Sequence, residues 1–434
     1  MNEEPTLKKD FVRVIGGGLA GSEAALFLAR KGVKVKLYDL KPESLSEAQS
    51  RKDLYAELVC SNSLKSADPV SAPGLLKTEM GLLGSVVIKA SAISRVPSGQ
   101  DLAVDRDVFS GYITEQILNN PLIERVSEDV ADIPEDGRLT IICTGPLTSK
   151  GLAQRLAALM GSEMLSFFDA AAPLIFESSI DRSQTFEGSR WGKGEGKYIN
   201  CPLDKDQYFA FVKALTEAKR AVLHDFDHFE GCLPVEVMAA RGPLTLRYGP
   251  LKAQGLDCPE GTYAVVQLRQ DDVAGKLYGL VGFQTNLTYP EQKRVFGLIP
   301  ALKSAKFARF GLMHRNTYVN APAVLDRDLS LKCDHNILIG GQLSGVEGYC
   351  ESAATGLLAG IYAYMRFSRD KVDLIPVNTM LGSLVNYLVM SSPKRFAPMN
   401  STYGILVRDS IKNHQECAAE SRKAIEDWIR KVNL

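Results

Sequence analysis

The chain has 434 residues, enough for two or three units with filled cores rather than one average domain. Lys plus Arg balance Asp plus Glu at 51 each, so overall charge cannot hold a polyanion and any such partner needs a local patch. No run of about 20 apolar residues could span a bilayer, and the polar stretch Met1–Asp10 has no signal-peptide core, which together predict a cytoplasmic protein without a membrane partner.

In chain order, the first element is a hydrophobic strand entering V-I-G-G-G-L-A-G at Val14–Gly21, followed by an amphipathic helix. Gly16-x-Gly18-x-x-Gly21 has the spacing of a dinucleotide turn: tight bend, close approach to a pyrophosphate, close helix–strand packing. With Gly17, Leu19 and Ala20 these residues are expected to form the cofactor loop, the helix N-terminus facing the phosphates. A second strand, Val33–Tyr38, ends at Asp39, about 20 residues on, where a carboxylate can hold ribose hydroxyls. Arg138–Gly145 reads as a buried strand ending in Thr144-Gly145 that returns the chain beneath the cofactor. Between about Phe167 and Phe310 short alternating runs, Tyr263–Leu268 and Leu277–Gln284 among them, predict an antiparallel sheet in an inserted domain. His335–Gly341 is another apolar strand, closing on Gly340-Gly341 and Gln342 and followed by a small-residue helix at Glu351–Tyr364. Asp409–Leu434 is a charged amphipathic closing helix. The expected fold is α/β: a Rossmann-like FAD-binding domain of the two-dinucleotide-type flavoprotein kind (1–166 and 326–434) interrupted by a smaller inserted α+β domain (167–325). The early glycines would hold the ADP end of the cofactor and Gly340-Gly341 the flavin end.

A flavin needs a reaction, and two segments are unusual. A-E-L-V-C-S-N-S-L-K-S around Cys60 and F-E-G-C-L-P-V-E-V-M-A-A-R-G around Cys232 set a thiol among small, polar and charged residues, where it can be tuned toward the nucleophilic thiolate. The competing reading is that lone cysteines are buried filler. The eight cysteines contain no C-x-x-C pair, which argues against a zinc site and a secreted disulfide framework. His224 and His228 have the i,i+4 spacing of a metal grip, but intervening aspartates and the lack of a third ligand favour a solvated segment, and no metal is expected. His314-Arg315 could position a phosphate or form a structural ion pair, and Arg95, Asp105 and Arg106 are candidate cofactor contacts. From Lys276 to Arg315 the chain holds seven cations against Glu291 alone. That run is either a solvated face or an RNA-facing surface, with Lys303, Lys306, Arg309 and Arg315 as phosphate contacts.

Six blocks carry a family resemblance: V-I-G-G-G-L-A-G-S-E-A-A, A-E-L-V-C-S-N-S-L, L-A-V-D-R-D-V-F-S, F-E-G-C-L-P-V-E-V-M-A-A-R-G-P-L-T-L-R-Y-G-P, M-H-R-N-T-Y-V-N-A-P and G-Q-L-S-G-V-E-G-Y. Together they resemble the folate- and FAD-dependent tRNA (uracil-5-)-methyltransferases, the TrmFO family, within the GidA-like tRNA-modifying flavoproteins. The departures are Gly17 for a usual alanine, Asp39 for glutamate, Leu343-Ser344 for an Ile-Thr pair and Cys350 for a small aliphatic residue. The resemblance implies methylation of carbon 5 of the T-loop uridine at tRNA position 54, giving ribothymidine. It implies 5,10-methylenetetrahydrofolate as carbon donor, FAD as electron carrier and NAD(P)H as its reductant. Carried over by motif, Cys232 is the nucleophile that adds to uracil carbon 6, and Cys60 the base or assistant at carbon 5. Alternatives are the same chemistry on a ribosomal RNA uridine, a flavin oxidoreductase acting on a small molecule, and a noncatalytic RNA-binding protein that keeps FAD as a structural element.

Overall fold

The computed structural model describes residues 7–46, 49–162, 164–192, 198–221, 233–369, 371–408 and 413–434, with backbone alone for 167–169, 314 and 315. Its first layer is a six-stranded sheet in the order Ser330–Leu331, Asp334–Ile339, Arg138–Ile142, Lys8–Ile15, Val35–Asp39, Ile123–Ser127. The pairings are parallel except that of the edge strand Ser330–Leu331. Parallel strands covered on both faces read as continuous apolar runs, and Val12, Val14, Leu37, Ile141 and Leu338 are all fully buried. Withdrawing each such side chain from water contributes about 1.5–3 kcal/mol.

Register decides where a ligand can sit. Ile142 lies opposite Ile15 on one side and Ile339 on the other, so three strands stop at one level. The three segments that follow, Gly16–Gly18, Cys143–Gly145 and Gly340–Gln342, therefore converge at the carboxyl edge of the sheet, where open α/β sheets bind ligands.

Helix Leu19–Arg30, which follows the glycine turn, packs along helix Tyr349–Arg369. The close approach depends on small residues: a Cβ at Gly356 would lie 2.2 Å from the Ala20 carbonyl oxygen, and one at Gly360 would lie 2.9 Å from Ala24 Cα.

The strands of the second sheet all fall between 174 and 309, in the order Phe186–Gly188, Tyr198–Leu203, Ala264–Gln270, Leu277–Leu280, Leu174–Phe176, Phe307–Arg309, and are antiparallel throughout. It has its own apolar core, in which Phe211, Phe283 and Phe296 are fully buried. The chain enters and leaves this unit on one antiparallel ladder, Leu165–Ala170 against Met313–Tyr318. A small sheet of Ser63–Ser66, Asp101–Val104 and Arg95–Val96 follows the Cys60 segment.

Candidate active site

The glycine turn divides its work unequally. Gly16 has φ +102° and sits where a Cβ would lie 2.5 Å from the Cys143 carbonyl oxygen, so no other residue fits there. At Gly21 a Cβ would reach within 1.8 Å of the Gly16 carbonyl oxygen, which makes it the packing glycine. Gly18 is extended, at φ −73° and ψ −167°, and a Cβ there would find nothing within 4 Å. It opens into a cavity. Gly17 has a separate reason to lack a side chain: a Cβ would meet the Tyr55 ring at 2.5 Å. Its N–H donates to Asp39 Oδ2 at 2.6 Å, and Lys41 N–H donates to Asp39 Oδ1 at 3.0 Å, which fixes the carboxylate at the cavity wall.

That cavity, of about 320 Å³, runs from Gly16, Gly18, Leu19, Ala20 and Asp39 past Thr144 and Gly145 to Gly341, Gln342 and the first turn of helix Tyr349–Arg369. Gly341, at φ +73°, donates its N–H to Thr355 Oγ1 at 2.9 Å and faces the cavity. Gly340 does not: it is a packing residue, whose Cβ would lie 2.9 Å from Cys143 Sγ and 3.2 Å from Gly356 Cα. At the far end Lys65 Nζ lies 3.4 Å from Glu351 and 3.6 Å from Glu347. Burial opposes the Lys65 charge, but the two carboxylates outweigh it and hold the ammonium above its ordinary range. Asn316 Oδ1 and Glu351 Oε2, both buried on residues that line the cavity, have no hydrogen-bond partner among the described residues. A glycine turn with an open Cβ position, a fixed carboxylate, a helix N-terminus and unmet polar atoms together fit a dinucleotide such as FAD.

Cys60 lines the same cavity, on a half-buried loop. Three side chains from distant elements hold that loop by its backbone. Cys60 N–H and Ser61 N–H donate to the Tyr349 hydroxyl at 2.7 and 3.1 Å. Arg309 donates through Nη1 to the Val59 carbonyl at 2.9 Å and through Nη2 to the Cys60 carbonyl at 3.2 Å. Arg106 donates to the Leu58 carbonyl at 3.1 Å and pairs with Asp271 at 3.2 Å. Burial, reinforced by the Arg106 charge, pushes the Arg309 guanidinium down to about 10, still protonated at neutral pH. Two other cysteines reach the cavity, but burial pushes the Cys143 thiol up to about 12 and the Cys350 thiol to about 11, which keeps both protonated.

Several sequence expectations change here. Arg309 is not a surface phosphate contact, because its guanidinium is turned inward onto the Cys60 loop. Arg106 belongs to the same clamp rather than to the cofactor. Asp105 caps helix Arg106–Leu118 and accepts from Val273 N–H at 2.9 Å, so it ties the two units together. Arg95 is exposed and does not line the cavity. Lys276, Lys293, Lys303 and Lys306 are exposed on the inserted unit, while Arg294 is neutralised by Glu291. Arg315 pairs with Phe168 along the ladder, its side chain outside the description. Cys232, His224 and His228 lie outside the described residues. The flanks of that stretch are anchored on one segment: Ala221 N–H donates to the Asn286 carbonyl at 2.8 Å, and Val235 N–H to the Gln284 carbonyl at 2.7 Å. Gln284 itself lines the cavity.

Residues 11–371 match the family described as glucose inhibited division protein A. A methylenetetrahydrofolate–tRNA-(uracil-5-)-methyltransferase TrmFO of Acetivibrio thermocellus is 48% identical over 98% of this chain and 100% of its own. The TrmFO of Listeria innocua is also 48% identical, over 97% of this chain and 98% of its own. Among solved structures, GidA of Aquifex aeolicus superposes with a TM-score of 0.71 at 17% identity, covering 96% of this chain and 73% of that one. By sequence and by fold the chain belongs to the GidA family and, within it, to the TrmFO group.

Proposed function

We propose that this chain methylates carbon 5 of the T-loop uridine of tRNA in the cytoplasm, with 5,10-methylenetetrahydrofolate as carbon donor. The observation that supports it most is one cavity lined at once by the glycine turn, by Cys60 and by Gln284, whose carbonyl anchors the residues just after Cys232. Gly16, Gly18 and Leu19 would cradle the FAD pyrophosphate, Asp39 its ribose, and Gly341 with Gln342 its flavin end. When bound and reduced by NAD(P)H, FAD supplies the electron pair that converts the transferred methylene to methyl.

The protein's own groups handle the uracil. Carbon 5 is a poor nucleophile until the Cys232 thiolate adds to carbon 6, which moves electron density onto carbon 5 and lets it attack the folate methylene. The carbon-5 proton then leaves to Cys60, the bond from the methylene to the folate nitrogen breaks with its electron pair on tetrahydrofolate, and once the methylene has taken up a hydride equivalent the carbon 6–sulfur bond breaks and returns the Cys232 thiolate. The Cys60 loop is held at Leu58, Val59, Cys60 and Ser61 by Arg106, Arg309 and Tyr349, so its position is set by groups that do not themselves react. RNA carrying 5-fluorouridine cannot lose its carbon-5 substituent as a proton, so a covalent adduct should accumulate with the wild type and be absent with Cys232→Ala. An adduct that persists in Cys232→Ala and vanishes in Cys60→Ala would exchange the two roles.

A further inference from the structure

On the inserted unit, three aromatic rings lie in a parallel stack. Tyr289 and Phe310 have centroids 4.7 Å apart with planes 18° from parallel, and Phe310 and Phe307 lie 4.9 Å apart at 17°. Rings in the core of the same unit meet differently, Phe283 and Phe296 edge-on at 72°. The outermost ring, Tyr289, is 50% exposed although Phe310 covers one face. The stack is held rigidly from behind. Buried Gln292 donates to the Gly311 and Leu287 carbonyls at 2.9 and 2.8 Å and accepts from Gly311 N–H at 2.8 Å, which pins the turn after Phe310 to the helix that begins with Tyr289.

Cations outnumber carboxylates in the sequence around the stack. Lys293 Nζ lies 5.4 Å from the Phe310 ring centre, and Lys303 and Lys306 stand exposed with no carboxylate in ion-pair range among the described residues. Glu291, the acidic neighbour, is occupied by Arg294 at 2.5 Å. The stack also adjoins the Cys60 loop, because Arg309, one residue before Phe310, clamps it. A planar half-exposed ring with exposed lysines close in sequence suits a planar ligand with a polyanionic backbone.

We propose that Tyr289 is a stacking platform for an unpaired nucleobase of the RNA substrate, with the neighbouring lysines on its phosphates; this rests on the RNA-modifying function above. Binding of an unmodified tRNA transcript to the FAD-loaded protein tests it, with Tyr289→Ala and Tyr289→Phe compared at several salt concentrations. Stacking of one base is worth roughly five- to a hundredfold in affinity, so the alanine variant should lose that much while the phenylalanine variant binds like wild type. Neither variant should change the salt slope, since no phosphate contact is removed. A 2-aminopurine base in the T-loop should be quenched by wild type and by Tyr289→Phe, and not by Tyr289→Ala. Unchanged affinity and quenching in Tyr289→Ala overturns the proposal, and a concurrent change in sedimentation would assign the face to a second copy of the chain. If wild type methylates tRNA while Tyr289→Ala binds normally, the platform alone fails. If Tyr289-dependent RNA binding is seen without methyl transfer, it is the functional reading that fails.

Discussion

Replacing Gly18 with valine should separate cofactor binding from folding. The residue is extended, at φ −73° and ψ −167°, a conformation open to any L-amino acid, and among the described residues nothing beyond its own chain neighbours lies within 4 Å of where its Cβ would be. As the N-cap of helix Leu19–Arg30 it loses a little by the change, since glycine caps better than valine, but the backbone stiffens in the unfolded chain. These opposing effects leave a net stability change below about 1 kcal/mol, at most a few degrees in Tm. The side chain instead fills the space in front of the turn. If the pyrophosphate loses two charge-assisted hydrogen bonds at about 1.5–3 kcal/mol each, FAD affinity falls roughly a hundred- to ten-thousandfold. The assay is flavin absorbance per mole of purified protein, beside circular dichroism melting of wild type and variant without added cofactor. A colourless, folded Gly18→Val is expected. A full flavin spectrum in that variant would refute the placement of the pyrophosphate, and a collapsed fold would refute the claim that Gly18 faces open space.

By contrast, Gly356→Ala should destabilise the fold itself by about 1–3 kcal/mol or more, read as a lower denaturant midpoint, because its Cβ would lie 2.2 Å from the Ala20 carbonyl oxygen. Charge reversal at Lys303 and Lys306 should reduce the salt slope of tRNA binding by roughly 1.5–2 and leave flavin reduction intact. Arg309→Met should leave that slope unchanged and depress turnover, because it frees the Val59 and Cys60 carbonyls rather than a phosphate; a slope change in this variant would return Arg309 to the RNA surface. Burial raises the Glu79 carboxyl from 4.5 to about 7, so between those values the unfolded chain binds fewer protons than the folded one and stability falls as pH rises. Melting across that window should show up to about 1.4 kcal/mol per pH unit from this group, with Glu23 shifted in the same direction by burial, and Glu79→Gln should flatten the profile measurably.

The glycine turn was legible because backbone geometry restricts which residues can occupy it. Gly16 has a positive φ, Gly21 has no room for a Cβ, and Asp39 stands 22 residues beyond Gly17 at the end of the neighbouring strand. The strand ends carrying Thr144 and Gly341 were legible as apolar runs stopping on glycine. What could not be read was the direction of long side chains. Arg309 sits in a cationic run that ordinarily faces water, yet its partners lie 249 and 250 residues away, and Tyr349 reaches Cys60 across 289. Gly340 reads like Gly341 in the sequence, yet it packs against Cys143 and Gly356 while Gly341 lines the cavity. Gly17 carried a signal in hindsight: it stands where the family usually has alanine, and the Tyr55 ring fills the space that alanine would need.

The central claim, that a folate-borne carbon is delivered to uridine in tRNA by this chain, is tested most directly by mass analysis of RNA after incubation with the protein, NADPH and 5,10-methylenetetrahydrofolate labelled in its methylene carbon. Labelled 5-methyluridine is expected in tRNA, dependent on the folate donor and lost in Cys232→Ala. Label in ribosomal RNA but not tRNA would overturn the substrate while sparing the chemistry, and NADPH oxidation with no label in either RNA would overturn methyl transfer to RNA altogether.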